Sequence, residues 1–321
     1  MTKLRTSGGY SIRLSDLTIY VVLIALVIIN TVLQPNFIEP LNLYYVLGTA
    51  MPLIFASAAQ GMVILISSID LATGSVVSLV NVLVVTLIGR GSFVAICLAI
   101  LAGIAMGLIA GLITTLLRLP AIIATLALSS VWAGLALYVL PTPKGGLPDW
   151  FQTVLAGSRP LWILVGMILL WQWFSRTKQG KHMYAIGANE NAAYMSGVPI
   201  LKTRLLVFAI SGLLLALSAL SLSATTGGGD PLSGTALTLQ SIAAAVLGGI
   251  HFKGGSGSIV GAIAGAIVLA LITNVVYYTG ASAFYQGVVY GLLLILALSL
   301  SRLTGDRKAT FRRSLKPRMS I

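Results

Sequence analysis

Charge is what this chain has least of. Among its 321 residues, 20 are Lys or Arg and 7 are Asp or Glu, so charged residues make up 8% against 57% hydrophobic, with a mean hydropathy of +0.99. A water-facing globular surface needs roughly a quarter of its residues charged, which excludes a soluble domain. There is one cysteine, Cys97; it permits no internal disulfide and, inside an apolar run, reads as a small buried hydrophobe. The two histidines, His182 and His251, have no partner at metal-ligand spacing and assemble no Ser, His and Asp set. A G-x-x-x-x-G-K-[ST] phosphate loop is missing as well, since "GGIHFKGGSGS" has its glycines and lysine in another order. The expectation is a chain that is not an enzyme and binds no cofactor or metal of its own.

What is present is apolar length. A helix needs about 20 apolar residues to cross a hydrocarbon core of ~30 Å, and only helices or closed barrels satisfy their backbone groups there. Apolar runs lie at about 17–33, 50–67, 72–88, 93–117, 120–140, 160–175, 205–224, 237–251, 258–277 and 284–301. The first follows a basic start without a small-x-small cleavage site, so it is expected to be a retained span. With ten alternating spans and the N-terminus inside, 17 of the 20 basic residues fall on the cytoplasmic side and only Arg90, Lys144 and Arg159 outside, the bias that orients inner-membrane proteins. That distribution places the net charge of +13 at span ends and argues against nucleic acid as a partner. The expected fold is all-α: a single polytopic inner-membrane domain over 1–321 with about ten transmembrane helices, both termini inside, and some helices short or broken. Residues 1–16 and 302–321 are expected as cytoplasmic tails, the second of them basic, and 176–204 as a cytoplasmic loop.

Gly103, Gly107 and Gly111 repeat every four residues in "LAGIAMGLIAGLITTLL". Such spacing lets membrane helices approach closely and is read as tight packing. Two Gly/Ser-rich breaks, in "LISSIDLATGSVVSLVN" (65–81) and "LGGIHFKGGSGSIVGAIAG" (247–265), stand at corresponding places in the two halves, a rhythm that hints at a duplicated transporter fold. Asp70, in the first break, has two readings. An intramembrane acid is a functional hypothesis by default; with Thr73 and Ser75 it also suits a cap on the next helix, and no acidic or histidine partner at depth supports a proton relay.

The one long hydrophilic insert is "AIGANENAAYMSGVPILKTR" (185–204). Glu190 to Met195 favours a short helix, with Asn189 as N-cap, Gly197 and then Pro199 as its stop, and Glu190 placed for the helix dipole. Ala192 and Ala193 are small enough to let another protein approach. The composition fits a docking helix or a solvated connector, and does not choose between them.

Resemblance separates the two. "GANENAAYMSGV" resembles the cytoplasmic coupling segment of ATP-binding-cassette importer permeases, with Glu190, Ala192, Ala193 and Gly197 on a Glu-Ala-Ala…Gly pattern. "SSIDLATGSVVSLVN", "LQSIAAAVLGGIHFKGGSGSIVGAIAGAIVL" and "FYQGVVYGLLLILAL" resemble, in order, signatures of ribose-type permeases of the branched-chain amino acid and sugar permease superfamily. Ser68 stands where that signature usually has glycine, and Ala72-Thr73 replaces its Ser-x. The resemblance implies a permease in the bacterial inner membrane that moves a small carbohydrate by alternating access. It pairs with a second copy or a sister permease, with two ATPase subunits that use the ATP, and with an extracytoplasmic substrate-binding protein. It also implies coupling to the ATPase through Gly187, Asn189, Glu190, Ala192, Ala193 and Gly197. A sugar pathway is expected to be weakly polar, with Gln60, Ser67, Asp70, Thr73, Ser75, Asn81 and Asn274 as candidates to line it; Arg90, Lys144 and Arg159 are candidates to meet the binding protein. Rival readings are a branched-chain amino acid, nucleoside or sugar-like signal as cargo, or an ion-coupled secondary transporter.

Overall fold

The computed structural model describes residues 14–280 together with 287, 288, 291 and 292. The basic tail expected at 302–321, residues 1–13 and most of the run at 284–301 therefore lie outside the described residues. Among the described residues twelve α-helices with given bounds follow in order: α1 (Leu14–Leu33), α2 (Pro40–Leu65), α3 (Thr73–Leu87), α4 (Ser92–Leu116), α5 (Ala121–Val139), α6 (Asp149–Gln152), α7 (Arg159–Arg176), α8 (Lys178–Ala188), α9 (Glu190–Met195), α10 (Ile200–Thr226), α11 (Thr235–Leu247) and α12 (Ile259–Tyr278). Among the described residues the only strand pairing joins β1 (Lys144–Gly145) to β2 (Gly228–Gly229), antiparallel, with Lys144 opposite Gly229.

Nine of the ten apolar runs coincide with helices. Among the described residues, six helices are long and apolar enough to cross a membrane, namely α2, α3 with its terminal turn, α4, α5, α10 and α12; a seventh span is possible if α7 is joined to the bent segment before it, at 58°. α1 adds a shorter apolar stretch, Val21–Leu33, and begins at Leu14, inside the expected tail. At 1.5 Å per residue, the 13 residues of α11 reach only about 20 Å, short of a ~30 Å core. The expected loop at 176–204 is instead almost wholly helical: α7 ends at Arg176, α8 and α9 fill 178–195, and α10 starts at Ile200.

α2 is the axis of the bundle. It is buried almost continuously from Ala50 to Leu65, with α10, α11 and α12 packed around it. On the outside, Leu101, Ile123, Leu169 and Trp173 are more than half exposed, the apolar surface that lipid covers. Some hydroxyls along the spans spend their protons locally: Thr31, Thr86 and Thr114 donate to the carbonyls of Val27, Val82 and Ala110, four residues back, at 2.8–2.9 Å, whereas Ser57 Oγ, Trp132 Nε1 and Asn274 Nδ2 have no partner among the described residues. The glycine stripe of α4 has the packing role read from its spacing. A Cβ at Gly107 would strike the Phe208 carbonyl and Gly212, and one at Gly103 would meet Ala216 at 2.7 Å, so α4 and α10 touch backbone to backbone.

The internal repetition lies elsewhere than the 65–81 and 247–265 comparison places it. "DLATGS" (70–75) recurs as "DPLSGT" (230–235), and the hydrogen bonds recur with it. Asp70 Oδ1 accepts from Ala72 N at 2.8 Å, and Asp230 Oδ1 from Leu232 N at 2.8 Å. Thr73 donates to the Asp70 carbonyl and Ser233 to the Asp230 carbonyl, at 3.1 and 2.7 Å. Across the two segments, Gly74 N donates to Thr238 Oγ1 at 3.0 Å and Gly234 N to Ser78 Oγ at 2.9 Å. Each helix thus accepts the first-turn amide of the other from a hydroxyl four residues further on. α3, long enough to span, and the shorter α11 meet at their N-terminal turns inside the bundle and run antiparallel from there. The repeat escapes a sequence comparison because only the turn chemistry is shared; the helical residues after it are not.

Candidate functional site

At one end of the bundle stands the hydrophilic segment. Thr177 caps α8 by accepting from Gly180 N at 3.2 Å, and Asn189 caps α9 by accepting from Ala192 N at 3.0 Å, satisfying first-turn amides that would otherwise be orphaned. α9 stops where Gly197 takes a left-handed φ of 77°, before Pro199. Glu190, the first residue of α9, is ion-paired to Arg204 of α10 at 2.6 Å, with the carboxylate half-exposed and the guanidinium mostly buried. Short caps at both ends and one ion pair join α9 stiffly to the span α10.

The faces of α9 differ from the expected small surface. Ala193 is buried against the core and opens nothing to a partner; Ala192 is exposed, and beside it Tyr194 and Met195 stand 70% and 84% exposed. Those two large apolar side chains are absent from the sequence reading, which weighed residue size and not which side of a six-residue helix faces inward. Between α9 and the α4–α5 turn lies a cavity of about 980 Å³ of mixed polar and apolar lining, Ser67, Ser68, Arg118, Leu119, Tyr194 and Lys202 among it. Gly187 has no room for a side chain, because a Cβ would enter the Leu65 carbonyl and the Gly255 amide.

The polar residues proposed for a pathway separate into different environments. In the orientation that satisfies both ends of its amide, buried Gln60 donates to Thr73 Oγ1 and to the Asp70 carbonyl, each at 3.0 Å. Ser75 donates to the Ala72 carbonyl at 2.9 Å. Together with the Asp70 turn these bonds fold the link between α2 and α3. Asn81 is spoken for on all sides: its amide nitrogen donates to Ser223 Oγ at 2.7 Å and to the Gly228 carbonyl at 3.1 Å, and its oxygen accepts from Asp230 N at 2.8 Å and from Ser233 Oγ at 3.3 Å. Asn274 is half-buried on α12. Ser67 stands apart from all of these, at the end of α2 beside Gly187.

Arg90, Lys144 and Arg159 stand in three separate connections, after α3, between α5 and α6, and at the start of α7. Lys144 lies in the strand pair with Gly229, Arg159 donates to the Thr153 carbonyl at 2.6 Å, and Arg90 is exposed beyond the end of α3. Among the described residues no cluster of three His, Cys, Asp or Glu side chains could hold a metal ion, and Cys97 is a free thiol on α4.

The sequence that builds this bundle of apolar helices, with its capped helical segment at one end, has relatives among known proteins. Residues 42–298 match the family described as branched-chain amino acid transport system / permease component. The chain belongs to that family of transport permeases, and it is a multi-pass protein of the bacterial inner membrane. It is 32% identical over 292 residues to the ribose import permease protein RbsC of Escherichia coli strain K12, covering 87% of this chain and 91% of the relative. With the protein of the same name from Bacillus subtilis strain 168 it shares 33% identity over 291 residues, 87% and 90% of the two chains. The galactose/methyl galactoside import permease protein MglC of Escherichia coli strain K12 is 30% identical over 319 residues, 90% and 95%. No solved structure matches the chain.

Proposed function

We propose that this chain is the membrane permease subunit of an ATP-binding-cassette importer that admits a small sugar by alternating access, with ATP hydrolysed by a separate subunit docked on α9. The observation that carries the reading is the construction of α9: capped at Asn189, ion-paired to α10 through Glu190 and Arg204, and presenting Tyr194 and Met195 outward. A short helix so held passes a push on its outer face into a membrane span, the requirement for a switch with two arrangements. The basic residues orient the α9 end to the cytoplasm, leaving Arg90, Lys144 and Arg159 to meet an extracytoplasmic binding protein. Ribose and galactose in the names of the relatives support a sugar as cargo. A second permease chain completes the pathway between two copies.

The test is reconstitution of the permease with its ATPase and binding protein in liposomes, offered labelled ribose, galactose and leucine. Uptake of a sugar that requires ATP is the expected result. Accumulation by the permease alone along an ion gradient, or uptake of leucine in preference to both sugars, overturns the proposal.

A further inference from the structure

Three chain segments distant in sequence close on one another beside Ser67. Ser67 is a non-glycine residue with a left-handed φ of 59°, a conformation that costs a side-chain-bearing residue energy unless its surroundings hold it there. Two things hold it. Its amide donates to the Ile64 carbonyl at 2.9 Å, turning the chain sharply off the end of α2. Its hydroxyl lies 3.0 Å from the Gly187 carbonyl, on α8, and 2.8 Å from the Lys253 carbonyl, in the loop between α11 and α12. A hydroxyl has one proton, so a single donor serves two carbonyls of two different segments and passes between them by rotation about one bond.

Around that hydroxyl the contacts continue as a row. Gly255 N donates to the Leu65 carbonyl at 2.9 Å. Tyr184 of α8 donates to the Gly257 carbonyl at 2.8 Å, and Trp171 of α7 to Ser258 Oγ at 3.2 Å. Ser258 in turn caps α12 by accepting from Val260 N. The α7–α8 segment is thus fastened along the glycine-rich loop from 253 to 258, with the end of α2 clamped in the same knot. Gly187 is the point of closest approach, which explains why that position tolerates no side chain.

What leaves this knot matters. From Ser67 the chain runs through the Asp70 turn into α3. Backward from Lys253 it runs into the C-terminus of α11, and forward into α12. α3 and α11 already hold one another through Gly74, Ser78, Gly234 and Thr238.

We propose that Ser67 is the positioning residue of a transmission clasp, joining the α8–α9 docking segment to both α3 and α11 at once so that one displacement of α8 moves the two helices together. This rests on the reading of α9 as the site where an ATPase docks. Ser67 contacts no substrate in this scheme; it acts through the carbonyls of Gly187 and Lys253, a physical connection between two sites and not merely an intermediate location.

The experiment uses the whole complex in liposomes and measures sugar transported per ATP hydrolysed. Ser67→Gly removes the hydroxyl and at the same time relieves the left-handed backbone, so the variant folds at least as well as the parent. Ser67→Ala removes the hydroxyl and keeps the strain. Both are expected to retain the ATPase on purification and to hydrolyse ATP near the parental rate, while transport per ATP falls by roughly tenfold, the scale of one lost hydrogen bond. An unchanged ratio in Ser67→Gly overturns the clasp, as does an equal fall in hydrolysis and transport, which a merely structural role would produce. The two readings fail separately: parental complex that takes up no sugar with ATP removes the importer, whereas parental complex that transports beside variants with an intact ratio removes only the clasp.

Discussion

Glu190 Oε2 and Arg204 Nη2 stand 2.6 Å apart, and they bridge 14 residues to tie the first turn of α9 to the first turn of α10. The carboxylate is half in water, so the pair adds little to folding, about 0.5 kcal/mol; its effect is on the direction in which α9 points. Glu190→Lys and Arg204→Glu each place like charges at this contact. Each is expected to lower the midpoint of thermal unfolding in detergent by no more than a few degrees, yet to lose the ATPase on co-purification. The double exchange, which restores opposite charges in reversed order, is expected to recover it. ATPase retention in both single variants would contradict the docking role.

Asn81 is a fastening between α3, α10 and the turn at 228–233, with no polar atom left over. Asn81→Leu strands the Asp230 amide, while the Ser223 hydroxyl loses a donor but still gives its own proton to the Ala219 carbonyl. The expected cost is about 2 kcal/mol, from leaving a partly buried donor without its acceptor. Thermal unfolding and protease cleavage within 227–234 measure it. Asn81→Ala with undiminished stability and an uncut loop would show that water replaces the amide there.

The Gly74–Gly234 crossing is closed from both sides, since a Cβ on either residue meets the carbonyl of the other. Gly74→Ala and Gly234→Ala are each expected to destabilise the protein by about 1–3 kcal/mol through overpacking. Because the first methyl already parts the helices, the second costs less, and a double-mutant cycle of thermal stability is expected to return a coupling of about 1 kcal/mol. Additive losses would mean the two glycines are not in one contact.

Asp70 has its Oδ1 on the Ala72 amide, a bond an asparagine side chain also makes. Asp70→Asn is therefore expected to keep ATP-driven uptake within about threefold, the scale of a fractional hydrogen-bond change, and to leave its dependence on external pH unaltered. Loss of a proton dependence in that variant would support ion coupling instead.

Long apolar runs were legible in the sequence because crossing a bilayer demands length and composition together, and nine of them fall on helices. The α9 cap was legible as well: Asn189 followed by Glu190, then Gly197 and Pro199, is local chemistry confined to one short stretch of chain. α8 was not, since "KQGKHMYAIGA" has a mixed pattern and is held by its contacts with the 253–258 loop. The committed state of Asn81 was equally hidden. A polar residue in an apolar run looks alike whether it faces cargo or binds its own backbone, and its partners Ser223, Gly228 and Asp230 lie about 140–150 positions away. Ser67 was expected along a pathway on the same grounds; its hydroxyl lies against two carbonyls of other segments, contacts that no local pattern announces.

Two helices that begin at one point and part in opposite directions bring the positive ends of their dipoles together inside the bundle. The carboxylates of Asp70 and Asp230 sit on those same two turns, each accepting from an amide two residues on at 2.8 Å, so the fold brings its own negative groups to the place where the dipoles converge. The Gly74–Gly234 crossing is therefore balanced from within, by groups that belong to the chain itself.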